Sequence, residues 1–171
     1  MRLASLFLSL MPALALPAVS QPPAASIDPP PGSRIVLEAK GKGVQIYGCS
    51  RAGGAFKWTL QGPDAKLFDA NGKEIGSHFA GPTWRLADGG QVQGELVASQ
   101  LAAETGAVPW LLLRTKAGSA SGTLAEVAFI RRSATHGGTA PASGCAVKAD
   151  VGATVRVPYT ADYAFYSAPL P

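Results

Sequence analysis

Histidine and cysteine are scarce in this chain, with two of each in 171 residues, and charged residues make up only 15% of it. Each scarcity removes a class of function. His78 and His136 are the only imidazoles, and no H-x-H, H-E-x-x-H or C-x-x-C spacing occurs, so no metal site is expected. The formal net charge is +4, but it is spread along the chain and Arg131-Arg132 alone forms no basic stripe. Nucleic-acid binding needs such a stripe, and that partner class is set aside. No stretch keeps a helical period beyond two turns, which removes the alternating βαβ folds that hold nucleotides. Register removes the nucleotide motifs as well. Gly41-Lys42-Gly43 opens like a dinucleotide fingerprint, but Ile46 stands where the third glycine belongs and a strand follows where a helix must start. Gly72-Lys73 continues into Glu74 and is no P-loop, and Gly118 to Gly122 lacks the G-x-S-x-G register of a serine nucleophile. No cofactor is expected.

What is present begins with an export signal. Residues 1–20 offer Arg2, then an uncharged apolar run from Leu3 to Leu16, then Ala18-Val19-Ser20 before Gln21, the order a secretory signal requires. The run is short of the ~20 apolar residues that span a bilayer as a helix, so no integral membrane segment is expected after cleavage. The expected destination is periplasmic or extracellular. Residues 21–32, QPPAASIDPPPG, are proline-rich and nearly devoid of apolar side chains, which predicts a poorly ordered leader before one domain over residues 33–168. In an oxidising compartment Cys49 and Cys145 are expected to pair, the alternative being two separate buried thiols. A bridge would close a loop of about 100 residues, for which chain entropy gives roughly 4.7 kcal/mol as an upper figure.

From Ser33 onward, short runs of period two alternate with glycine-centred turns, predicting an all-β fold. Strands are expected over 35–39, 44–49, 56–60, 66–69, around Ile75, and over 83–86, 91–97, 110–114, 124–131 and 151–159. In the second, Val44 and Ile46 share one face while Gln45, Tyr47 and Cys49 share the other. Ala70-Asn71-Gly72 and Asp88-Gly89-Gly90 read as tight turns. Pro158 suggests an edge or terminal place for the last strand, and residues 96–104 could form a helical turn. The architecture expected is a single-domain β-sandwich or closed β-barrel of about 8–10 mostly antiparallel strands.

Chemistry-bearing residues concentrate in SHFAGPTWRLADGG, from Ser77 to Gly90. His78, Trp84, Arg85 and Asp88 lie close enough in sequence to converge, with His78 as general base and Arg85 or Asp88 orienting it or the substrate. Trp84 and Arg85 are equally candidates for ligand contact. The plainer reading makes His78 a staple across the Ala80-Gly81-Pro82 turn and puts Trp84 in the core. Trp58 and Trp110 read as core anchors. A second stretch, Thr135 to Ala142, has paired glycines whose amides could meet an anion beside His136 or Arg132, or could simply form a surface loop.

The ordered set GKGVQIYGC (Gly41 to Cys49), W-x-L at Trp58 to Leu60, HFAGPTW (His78 to Trp84) with DGG-x-V-x-G (Asp88 to Gly94), PWLLL (Pro109 to Leu113) and GG-x-AP-x-x-x-C (Gly137 to Cys145) resembles domain-of-unknown-function family 3455, exported proteins of bacteria and fungi. The likeness runs from about Ser33 to Tyr166. It implies a Cys49–Cys145 pair, since both cysteines lie inside its motifs. Some fungal members are described as malate dehydrogenases; a chain with no dinucleotide fingerprint and an export signal does not carry that activity. The reading is therefore a secreted or periplasmic module that binds a small molecule or glycan, or is associated with the envelope. An enzyme built on His78 and a purely structural or protein-interaction module are the alternatives.

Overall fold

The computed structural model describes residues 26–170, so the expected signal peptide, residues 1–20, lies outside the described residues. Among the described residues eight strands follow one another: β1 (Ile35–Ala52), β2 (Ala55–Phe68), β3 (Glu74–Phe79), β4 (Thr83–Leu86), β5 (Gln91–Gln100), β6 (Trp110–Thr115), β7 (Val127–Gly137) and β8 (Thr154–Ser167). Each pairs antiparallel with the next, and β8 returns to β1, closing a barrel rather than a sandwich. Closure removes the sheet edges that an open sheet would have to protect.

The expected strands are fewer and longer in the structure. Residues 35–39 and 44–49 are one strand because Lys40-Gly41-Lys42-Gly43 stays in register with β2 and β8. These glycines make room. A Cβ on Gly41 would sit 2.5 Å from Cε2 of Tyr163, and one on Gly43 would sit 2.2 Å from the carbonyl oxygen of Asp64. Residues 56–60 and 66–69 likewise join into β2, bent where the register with β1 shifts between Ile46 and Tyr47. Residues 96–104 form no helix: β5 runs to Gln100, and its register shift between Leu96 and Ala98 leaves Leu96 and Val97 exposed. The last strand continues eight residues past Tyr159, to Ser167, and holds the most buried part of the sheet. It is no sheet edge, being paired on both sides. Pro158 nevertheless lies just before the β7 register begins at Tyr159, so its missing N–H costs no bond on that side.

The barrel is filled at one end and hollow at the other. Leu67, Val92, Leu124, Ile130 and Phe165 form the filled end, all fully buried. Leu124 enters from a 3₁₀ turn (Gly122–Leu124) that is tied to the β4–β5 turn by backbone bonds between Gln91 and Ser121 and by the Thr123 hydroxyl on Asp88. The tryptophans divide by position. Only Trp84 is in the barrel core; Trp58 is half-buried and donates its indole N–H to the Ser143 carbonyl at 2.9 Å, holding down the loop after β7. Trp110 packs on the outer surface with Ala98, Leu112 and Ile27, the apolar residue of the stretch expected as a leader.

The Cys49–Cys145 disulfide spans a sequence separation of 96 and fixes the same loop to β1, where Cys49 also exchanges backbone bonds with Gly152 and Ala153. Replacing both cysteines by serine is expected to cost ~2–5 kcal/mol, read in calorimetry as a Tm lower by roughly 6–15 °C; an unchanged Tm would mean the loop is held without it. Gly41→Ala, which drives a methyl into the Tyr163 ring, is expected to destabilise by ~1–3 kcal/mol in denaturant unfolding.

Candidate functional site

The hollow end is an open cavity of about 280 Å³. Its wall on β3 and β4 comes from His78 and Trp84, which face each other across the ladder and therefore point the same way, into the barrel. The β3–β4 connection turns through Gly81, at φ 96°, a conformation glycine adopts without penalty. Across this turn Nδ1 of His78 lies 2.9 Å from the carbonyl oxygen of Thr83. A carbonyl can only accept, so Nδ1 carries the proton and Nε2 keeps its lone pair. The imidazole stacks on Trp84, with centroids 4.3 Å apart and planes 7° apart, and meets Tyr163 edge-on at 5.2 Å.

His78 is only 2% exposed. Burial pushes its pKa down to about 3; the Thr83 carbonyl opposes the shift and the Arg132 cation adds to it. The ring is neutral throughout the physiological range. A general base needs the opposite tuning, a carboxylate or similar group that stabilises the imidazolium, and among the described residues no acidic side chain lines this cavity.

β8 and β7 supply the other wall. Tyr163 is fully buried, and its hydroxyl lies 3.2 Å from that of Tyr159. Burial raises both phenols, so neither ionises. Arg132 sits opposite Tyr163 in the ladder, and its Nε and Nη2 donate to the carbonyl of Pro109 at 3.0 and 2.7 Å. From β1 comes Gln45, 1% exposed, with neither Nε2 nor Oε1 hydrogen-bonded among the described residues. Nε1 of Trp84 is buried and unpartnered in the same sense. Leu60, Leu111, Leu113 and Pro82 complete an apolar lining.

Of the residues singled out in the sequence, His78 and Trp84 are brought together, but not as a surface platform: Trp84 is 1% exposed and its face is taken by the imidazole. Arg85 and Asp88 do not join them. Alternation along β4 sends Arg85 outward, where its guanidinium lies over Phe79 at 5.2 Å and Nε donates to Gln91 at 2.8 Å. Asp88 caps the β4–β5 turn, accepting from the Thr123 hydroxyl and, at 2.8 Å, from the Gly90 amide; these bonds hold its carboxyl below the usual range. His136 lies on the outside of β7, paired with Glu104 at 2.5 Å. The His78–Arg85–Asp88 constellation is thus not assembled, and the cluster of three or more His, Cys, Asp or Glu that a metal needs is missing among the described residues. Sequence reasoning missed Gln45 and Tyr163 as site residues and took Arg132 only as a neighbour of His136. The signal for Gln45 is its sharing a strand face with Tyr47 and Cys49; for Tyr163 there is none, because it lies four residues beyond Tyr159, where the expected last strand ends.

A closed antiparallel barrel with one filled end and a polar-studded hollow at the other defines the structural class. Within it the chain belongs to the family described as a protein of unknown function, DUF3455, whose profile matches residues 29–167. No curated protein and no solved structure matches the chain.

The neutral, buried imidazole sets a pH dependence. In the unfolded chain it titrates near 6.5, and in the folded one near 3, so the unfolded state binds the extra proton between these values. Stability from this group is full above about pH 6.5 and is lost as the pH falls toward 3, at up to ~1.4 kcal/mol per unit. Denaturant unfolding of the native protein and of His78→Phe from pH 4 to 8 is expected to show the variant with the shallower acid slope; parallel slopes would contradict the buried neutral histidine.

Proposed function

We propose that this protein is an exported binding module that takes a small organic molecule into the hollow end of its barrel. The observation that carries the reading is the Gln45 side chain: an amide with donor and acceptor both buried and unpartnered, in the wall of an open cavity. Leaving such groups unsatisfied costs ~1–3 kcal/mol each, a cost that a bound polar group offsets. The cavity is about 280 Å³, roughly twice the ~150 Å³ of an apolar protein cavity that holds benzene. That favours a ligand of one or two rings over a glycan, and Trp84, already stacked on His78, has no free face for a sugar. Binding is favoured over catalysis because His78 lacks an acidic partner and is tuned away from proton transfer. Export is supported by the signal-like residues 1–20 and by the disulfide, which persists in oxidising compartments.

The test is a thermal-shift and ligand-observed NMR screen of small aromatic and heteroaromatic compounds, repeated on Leu111→Trp, which fills the cavity from β6. Binding to the native protein that is lost in the filled variant is expected. A screen without hits, or hits indifferent to Leu111→Trp, would sink the reading.

A further inference from the structure

Resting on that reading, the charge distribution around the hollow end narrows the ligand class. Among the described residues, Arg132 is the only charged one in the cavity lining. It forms no ion pair with a carboxylate among the described residues, whereas Arg114, Arg131 and Arg156 on the barrel surface each have one. Its two bonds to the Pro109 carbonyl use Nε–H and one Nη2–H, and the Tyr163 hydroxyl lies within reach of a further N–H, so at least two of the five guanidinium donors remain. The residue is half-buried, so water screens the charge less than at the surface. The cation also stands beside the phenols of Tyr47, Tyr159 and Tyr163, lowering the cost of ionising each, yet all three stay protonated because burial dominates. The protein itself therefore supplies no anion to this guanidinium.

The remaining lining has the opposite character. Leu60, Leu111, Leu113 and Pro82 are apolar. One uncompensated cation on an apolar wall, with a buried amide that can both donate and accept, complements a molecule with an anionic end and a flat apolar body. We infer that the ligand is a small aromatic or heteroaromatic carboxylic acid, bound as its anion, with the carboxylate on Arg132 and the ring body among Leu60, Leu111 and Leu113. A metal-chelating or cationic ligand does not match this lining. Inorganic anions match the guanidinium but leave the apolar walls unused.

Isosteric acid and amide probes separate these cases on the native protein, without relying on a variant. Titrations by calorimetry and Trp emission would compare indole-3-acetate with indole-3-acetamide and with acetate, which has the charge but no body. The expected result is that indole-3-acetate binds at least about ten-fold tighter than either comparator. Arg132→Gln should remove most of that preference, while Arg114→Gln on the outer face of β6 should leave it intact. Equal affinity for the acid and the amide, acetate binding as well as indole-3-acetate, or an acid preference that survives Arg132→Gln would each overturn the inference. If the compound screen yields cavity ligands that are all neutral, this inference fails and the binding reading stands; if the screen yields none, both fail.

Discussion

β1 can lie between β2 and β8 only because Gly41 and Gly43 carry no side chains. At Gly41 the space a Cβ would need is taken by the Tyr163 ring, and at Gly43 by the backbone of Asp64 and Ala65. The first contact sets how closely β1 approaches β8, the last strand of the barrel, and the second how closely it approaches β2. Closure follows from that approach, and closure is what leaves an interior at all. The GKG segment that superficially suggests phosphate binding is thus a packing device, and the aromatic ring it admits is one wall of the cavity. Fold and site share a residue, Tyr163, so a change that loosens one is expected to loosen the other.

The interior divides by how its polar groups are treated. At the filled end the packing is apolar, with Leu67, Val92, Leu124, Ile130 and Phe165 in one cluster. At the hollow end, Gln45, His78, Trp84 and Arg132 bring polar atoms to the wall, and only some find partners. The Nδ1–H of His78 is used on Thr83 and two Arg132 donors on Pro109, which fixes both side chains in place. What stays open is the Gln45 amide, Nε2 of His78 and the remaining guanidinium donors. Held side chains with unused bonding capacity are what a preorganised binding site requires.

Much of this was legible in the sequence and the failures have physical causes. Period-two runs and glycine turns gave the all-β class, and the two cysteines form the pair expected of them. Strand breaks were misplaced wherever glycine signalled a turn but served close packing, as at Gly41 and Gly43. In the segment after Tyr159, the residues of both faces are buried, Ala164 and Tyr166 as well as Tyr163 and Phe165, so no polar alternation marks it as a strand. Along β1 the apolar pattern leaves the inward face undecided: Val44 and Ile46 are only half-buried, while Gln45 and Tyr47 turn inward in phase with the two glycines. At the site, closeness in sequence does not produce convergence. His78 and Trp84 meet because they are cross-strand partners, whereas Arg85, one residue later, faces the other way.

The central claim is that the unpartnered groups of the hollow end exist for a ligand, and the side chain of Gln45 reports on this most directly. Its NH₂ signals, assigned in a ¹⁵N-edited spectrum by their loss in Gln45→Leu, should be followed while the native protein is titrated with a compound that stabilises it thermally. The account predicts that these signals shift saturably, with the same dissociation constant as Trp emission. Gln45 signals that stay fixed at saturation, while surface amides elsewhere move, would contradict it.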